Sequence, residues 1–139
     1  MYKNFVFLPP ACNRYRIKIG TPMNVIQETV GEVLVVGPEG KLDGTSAGDL
    51  EEVLQSAIDK GSMEILIDCS SLAYISSSGL RVILKAAKRL NKANGKVALC
   101  RLSDNVEQVF QISGFSTVLD IDSTREAALA AFFPAGQET

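Results

Sequence analysis

The sequence contains no histidine, and this absence removes the commonest general base used by enzymes. A Ser-His-Asp triad or a Cys-His pair therefore cannot form within the chain, and we expect no enzyme of that kind. Its three cysteines, Cys12, Cys69 and Cys100, lie far apart without a Cys-x-x-Cys pair, which leaves too few ligands for structural zinc. A small, odd number of cysteines is typical of a protein in a reducing compartment. We therefore expect a cytoplasmic protein without a metal or a cofactor.

Positive charge and long apolar runs are also scarce. The formal net charge is -2, from 14 basic and 16 acidic residues, so no basic surplus favours nucleic-acid binding. No apolar run approaches the roughly 20 residues that a helix needs to cross a bilayer. We therefore expect neither nucleic acid nor membrane among the partners.

The chain has 139 residues and 46% hydrophobic content, which suits one domain with a buried core. Patterned sequence begins only after Met23, so residues 1–22 are interpreted as an N-terminal extension and residues 23–139 as the domain. The extension could be a tether, an extra edge strand, or sequence upstream of a start codon assigned too early. Its apolar patch at residues 5–8 is too short for an export signal and is followed by two prolines.

Strand patterns alternate with helical periods through the rest of the chain, which predicts an α/β domain. Strands are predicted at 24–29, 33–36, 63–68, 96–100 and 117–121, with a turn at Gly37-Pro38. Helices are predicted within 45–61, 80–92, 103–113 and 123–133, with Thr45 or Ser46 capping the first and a Ser123/Glu126 capping box opening the last. The second helix carries a cationic stripe opposite its apolar face, which is interpreted as solvated or as a docking surface for an acidic partner: Arg81, Lys85, Lys88, Arg89 and Lys92.

Three consecutive serines and a glycine, residues 76–79, lie between the strand ending near Asp68 and the helix predicted from Leu80. One serine could cap that helix, and Gly79 could permit a tight turn. One cap does not account for three hydroxyls. A phosphate cradle lacks the glycine-rich loop and the lysine of known motifs, and a covalent nucleophile lacks histidine. A phosphoacceptor at the helix start and, last in rank, aspartyl phosphorylation at Asp68 remain open.

Three stretches together resemble the STAS domain of bacterial anti-sigma factor antagonists. They are "GPEGKLDGTSAGDLEEVL", "ILIDCSSLAYISSSGLRVILKAAKRL" and "GKVALCRLSDNVEQVFQISGFSTVLDIDSTREAALAAF", which cover about residues 24–133 in the family's order. The motifs are Gly-x-Leu-Asp at residues 40–43, Asp68 followed by Ser-Ser-Gly-Leu at 77–80, and Ser-Gly-Phe at 113–115. The resemblance implies a single STAS domain with a mixed, mostly parallel β-sheet and about four α-helices packed mainly on one side.

The resemblance also implies a regulator that is not an enzyme. Family members bind an anti-sigma factor that is a GHKL-type serine kinase, and so release a sigma factor. Phosphorylation by that kinase switches the antagonist off, and a PP2C-type phosphatase restores it. The protein is expected to be a monomer or a weak dimer. The acceptor serine lies two residues before the motif glycine, which corresponds to Ser77, with Ser78 and then Ser76 as second choices. Many relatives carry Asp immediately before the acceptor, where this chain has Ser76.

The expected partner surface contains both the serine cluster and the loop after the Gly-x-Leu-Asp motif. Its residues are Leu42, Asp43, Gly44, Thr45, Ser76, Ser78, Gly79, Leu80 and Arg81. Asp43 could equally be an ordinary turn residue that binds its own backbone. The alternative function is a STAS ligand-sensing or scaffold module that binds a nucleotide or a lipid-like molecule without a phosphorylation cycle.

Overall fold

The computed structural model describes residues 13–18, 24–114 and 119–132. These residues form seven strands and four helices: β1 Asn13–Lys18, β2 Asn24–Val30, β3 Val33–Leu42, α1 Ala47–Asp59, β4 Glu64–Asp68, β5 Leu72–Ile75, α2 Ser77–Lys92, β6 Lys96–Cys100, α3 Asp104–Ser113, β7 Asp120–Asp122 and α4 Arg125–Ala130.

The sheet has the strand order β1-β2-β3-β4-β6-β7, and β5 pairs with the far end of β3. The pairs β1–β2 and β2–β3 are antiparallel, whereas β3–β4, β3–β5, β4–β6 and β6–β7 are parallel. The mixed, mostly parallel sheet predicted from the sequence is therefore confirmed.

The central strands are buried on both faces because helices cover both sides of the sheet. Alternate residues such as Val36, Ile65 and Ile67 pack with α1, α2 and α3 in the larger core. The intervening residues, including Val35 and Leu66, pack with α4 in a smaller core. Three of the four described helices thus share one side of the sheet, as expected.

Strand β3 is longer than the predicted strand at 33–36, and the predicted turn at Gly37-Pro38 is wrong. The strand continues to Leu42 because β2 remains its antiparallel partner as far as Glu39. Its pairing with β4 ends at Val36, and its pairing with β5 begins at Gly40. Pro38, which has no amide hydrogen, lies between these two parallel pairings. This extension carries the 42–45 loop to the serine cluster.

The segment between Asp68 and the serines is not simply a loop, because it contains strand β5. Helix α2 also begins three residues earlier than predicted, at Ser77 rather than near Leu80. The end of β5 pairs Ile75 with Leu42, and the Ser76 amide donates to the Leu42 carbonyl over 2.9 Å. Ser77 therefore stands at the first position of a helix that is fixed to the sheet immediately before it.

Two predicted side-chain caps of helices are wrong, one because the hydroxyl has other partners and one because the neighbouring residue is the cap. Ser46 occupies the N-cap of α1, but its Oγ donates to the Lys41 carbonyl and accepts from the Asp43 amide. At α4 the cap is Thr124, whose side chain accepts from the Ala127 amide, and not Ser123. Local sequence suggested the right regions but the wrong hydroxyls.

The proposed boundary at residue 22 stays a prediction. Residues 13–18 form the edge strand β1, which pairs with β2. The apolar patch at 5–8 lies outside the described residues, as do residues 117–118 of the predicted last strand, Phe115 of the Ser-Gly-Phe motif and Phe133 of the predicted terminal helix.

Candidate functional site

The three serines at the start of α2 differ in exposure. Ser77 is exposed and Ser78 is half-buried inside the first helical turn. Ser76 is the N-cap, with the extended backbone of that position, but its side chain makes no capping bond. Its buried Oγ has no hydrogen-bond partner among the described residues. Within the cluster, Ser77 is the one exposed serine.

The expected capping role of a serine hydroxyl is therefore not found at this helix. Ser76 contributes its backbone instead, since its carbonyl accepts from the Leu80 amide. Ser78 follows Ser77 within the helix, so it is not the N-cap. The chemistry available to solvent at this junction is the Ser77 hydroxyl.

Gly79 is required for close packing, and not for the tight turn that the sequence suggested. An added Cβ would lie 2.7 Å from Leu42 Cγ and 2.9 Å from Ile75 Cγ1. Gly79 is buried, as are Leu42 at 0% and Leu80 at 4% exposure. These three members of the predicted partner surface lie beneath it, and any role in binding is to hold the exposed residues in place.

The loop after β3 lies beside the serine cluster, as the resemblance implied. Asp43 Oδ1 accepts from the Thr45 amide at 3.0 Å and from Thr45 Oγ1 at 2.7 Å. These hydrogen bonds from Thr45 hold the pKa of Asp43 below its usual range, and further bonds from Ser46 act in the same direction. Asp43 thus stabilises its own turn, and this leaves Gly44 and Thr45 exposed next to Ser77's segment.

The cationic stripe of α2 is only partly free in the described structure. Lys85 pairs with Glu51 of α1, and Arg89 pairs with Asp59. Arg81 is exposed one helical turn after Ser77 and makes no ion pair to any described residue. Lys88 and Lys92 are likewise exposed without an ion pair to a described residue, and Arg81 is the cation of this group nearest to Ser77 along the helix.

Sequence reasoning missed Tyr74, whose exposure is 46% although it is a large aromatic residue. It lies in β5 opposite Lys41, three residues before Ser77. An exposed aromatic residue beside polar groups is typical of protein interfaces. The apolar and aromatic run "LAYI" could have indicated a strand here, but four residues without a polar-apolar alternation are a weak signal.

Asp68 forms an ion pair with Arg101, the residue that follows the neighbouring strand β6. Its carboxylate accepts from Arg101 through both oxygens and from the Ser70 amide. Burial raises the pKa of Asp68, but the hydrogen bonds and charge of Arg101 and the Ser70 amide outweigh it, so the pKa lies below the usual value. No group of three or more potential metal ligands occurs in the described ranges, and aspartyl phosphorylation at Asp68 stays the last-ranked expectation.

The family comparisons agree with this architecture. The STAS domain family model matches residues 24–128. The chain is 38% identical over 110 residues to BtrV of Bordetella bronchiseptica, assigned as an anti-sigma factor antagonist, covering 79% of this chain and 95% of that protein. It is 25% identical over 104 residues to the anti-sigma-B factor antagonist of Staphylococcus aureus, covering 75% and 96%.

Two solved structures of one relative share the fold. The anti-sigma factor antagonist SpoIIAA in its unphosphorylated form has a TM-score of 0.69 and 26% identity, covering 78% of this chain and 95% of that one. The phosphorylated form of SpoIIAA, a Bacillus cell fate determinant, has a TM-score of 0.63 and 26% identity, covering 78% and 98%. These relatives define a class of regulators that antagonise anti-sigma factors.

This chain belongs to the STAS domain family. Its described helices include none that is long and apolar enough to span a membrane.

Proposed function

We propose that this protein is a cytoplasmic, non-enzymatic anti-sigma factor antagonist. It binds an anti-sigma factor that is a GHKL-type serine kinase, and binding releases a sigma factor for transcription. Phosphorylation of Ser77 by that kinase ends the interaction, and a PP2C-type phosphatase reverses the modification. The observation that carries the proposal is the exposure of Ser77 alone, among three adjacent serines, at the start of a helix.

The helix start makes phosphorylation compatible with the fold. A phosphate adds about -1.5 to -2 charges, and a negative group near a helix N-terminus gains roughly 0.3 to 1 kcal/mol from the helix dipole. The first turn of α2 holds no acidic residue that would repel it. The modification is therefore expected to leave the domain folded.

The loss of binding must then arise at the interface. Ser77 has exposed neighbours on both supporting segments: Gly44 and Thr45 on the loop, and Tyr74 and Arg81 on either side of the serines. A partner that covers this surface would take a phosphate of about -1.5 to -2 charges out of water, which is more negative charge than the one neighbouring guanidinium, Arg81, can balance. A buried, unpaired charge can destabilise a complex by about 3 kcal/mol or more, which exceeds a hundredfold in affinity.

The ligand-sensing alternative has less support from the described cavities. One cleft of about 130 Å³, lined by residues that include Asp68, Arg101 and Arg125, is below the roughly 300 Å³ of common ligand sites. Another of about 370 Å³ has Glu107 and Asp120 in its described lining and no basic residue there that would bind a nucleotide phosphate. Neither cleft includes the serine cluster.

Affinity capture from the source organism, followed by identification of a GHKL-type kinase, tests the partner. With that kinase, calorimetry should show that Ser77→Ala binds like the wild type, whereas Ser77→Asp binds at least tenfold more weakly. Ser123→Asp is the matched control, because it adds the same charge at an exposed serine beside α4. Equal affinity of Ser77→Asp and wild type would refute the switch.

A further inference from the structure

We propose that Arg81 binds the phosphate of phosphorylated Ser77 within the same chain. The inference rests on the proposed phosphorylation of Ser77 and concerns what the modified residue does next. It assigns Arg81 a role in the switched-off state, in which its guanidinium holds the phosphate against the surface of α2.

The helix places these two side chains next to each other. Ser77 and Arg81 are four residues apart in α2, so they lie on one face with Cβ atoms about 5–6 Å apart. An anion on the N-terminal side of a cation is the favourable orientation for such a pair. Because a guanidinium can donate two parallel hydrogen bonds to a phosphate, Arg81 suits this ligand better than a lysine would.

Arg81 is also available for this contact. Two other cations of the same stripe, Lys85 and Arg89, are held by Glu51 and Asp59 of α1, and the remaining two, Lys88 and Lys92, lie further from Ser77 along the helix. Arg81 is exposed and makes no ion pair with any part of the chain that the structure describes. The phosphorylated form of a structural relative, SpoIIAA, shows that this fold carries a phosphate in at least one related protein.

The nearest competing cation on the neighbouring segment is Lys41, which lies opposite Tyr74 in the β3–β5 pairing. It is exposed, but it lies on a different element and carries a single ammonium. The nearest acidic group on that segment, Asp43, directs one oxygen to Thr45. Arg81 is favoured over Lys41 as the partner of the phosphate because Ser77 lies on the same helix as Arg81, one turn away.

This pairing gives the switch a second effect. In the unmodified protein no described residue forms an ion pair with Arg81, so its guanidinium can contact an acidic group of the kinase. After phosphorylation the phosphate holds the same guanidinium, so the surface acquires a negative group and also loses a cation. The two changes act together against rebinding.

The test uses the full-length chain with phosphoserine inserted at position 77 during translation, so it requires no kinase. Phosphorus NMR against pH measures the second pKa of the phosphate. We expect that pKa to be roughly half a unit lower with Arg81 than in Arg81→Gln, about threefold in proton affinity. Arg81→Lys should retain part of the shift, and circular dichroism should show all variants folded.

Lys88→Gln is the matched control, because it removes an exposed cation of the same helix that lies about 16 Å from Ser77 along the helix axis. It should leave the phosphate pKa unchanged. An identical pKa in wild type and Arg81→Gln would overturn the inference, as would a shift that disappears only in Lys41→Gln. If the kinase does not bind or does not modify Ser77, the proposed function is wrong. The pairing of Arg81 with the phosphate is tested separately, because the pKa measurement uses no kinase.

Discussion

Replacing Gly79 by alanine tests how closely α2 packs on the end of β3. Alanine normally favours a helix interior over glycine by about 1 kcal/mol. Here the added Cβ would lie 2.7 Å from Leu42 Cγ, 2.8 Å from Leu42 Cδ2 and 2.9 Å from Ile75 Cγ1. Leu42 and Ile75 are both buried to within 1% and cannot move into solvent.

Overpacking typically costs about 1–3 kcal/mol, and contacts under 3.0 Å place this substitution in the upper part of that range, about 2–3 kcal/mol, which exceeds the gain in helix propensity. We expect Gly79→Ala to be about 1–2 kcal/mol less stable than the wild type, which corresponds to a melting temperature roughly 4–8 °C lower. Thermal melting and urea unfolding followed by circular dichroism measure both quantities.

Gly48 provides the matched control in helix α1, because a Cβ there would meet no atom within 4 Å. Gly48→Ala should raise stability by about 0.5–1 kcal/mol. If Gly79→Ala melted at or above the wild-type temperature, as Gly48→Ala should, the packing account of the Gly79 position would be refuted.

Three further predictions concern the loop, the charge pair and the extension. Asp43→Ala should weaken kinase binding in calorimetry, and unchanged affinity would leave Asp43 a turn residue only. The variant should also lose less stability on acidification. The reason is that the Asp43 pKa is lower in the folded state than its unfolded value near 3.8, so its carboxylate stabilises the fold above pH 3.8 and ceases to do so as the pH falls through the folded-state pKa. Asp68→Asn should lower stability by about 1–3 kcal/mol in urea titrations, whereas Asp59→Asn, at an exposed ion pair, should lower it by at most about 0.5 kcal/mol, and equal losses would contradict this account. Removal of residues 1–22 deletes the edge strand β1 and should still leave a folded, partner-competent domain; a melting temperature lower by about 10 °C or more would place the extension in the core.

Periodicity was a sufficient guide to the elements that are long and regular. The apolar face with Leu80, Ile83 and Leu90 predicted α2, and the buried run at 65–67 predicted β4. Both patterns arise because these side chains are buried in the core, and the spacing of apolar residues in the sequence shows that burial directly.

Features that depend on distant partners were not predicted correctly. The continuation of β3 past Pro38 requires β2 and β5 on its two sides, and the Gly-Pro pair by itself indicated a turn. Strand β5 is only four residues long and its buried and exposed residues do not alternate, so no period-2 signal for it is present in the sequence.

The same limit applies at the site. The sequence motif indicated Ser77, but it could not distinguish the exposure of three adjacent serines, because that depends on where the helix begins. The Ser46 hydroxyl reads locally as a cap and instead joins Lys41 to Asp43. Gly79 was recognised as necessary, but its reason, the position of Leu42, is a tertiary contact.

The central claim is that Ser77 is the residue whose modification switches the protein off. Its most direct test is to incubate the wild type and Ser77→Ala with the captured kinase and ATP, and to locate any phosphate by mass spectrometry. The account predicts one phosphate on Ser77 in the wild type and none in Ser77→Ala. Stoichiometric phosphorylation of Ser77→Ala at Ser76 or Ser78 would contradict it.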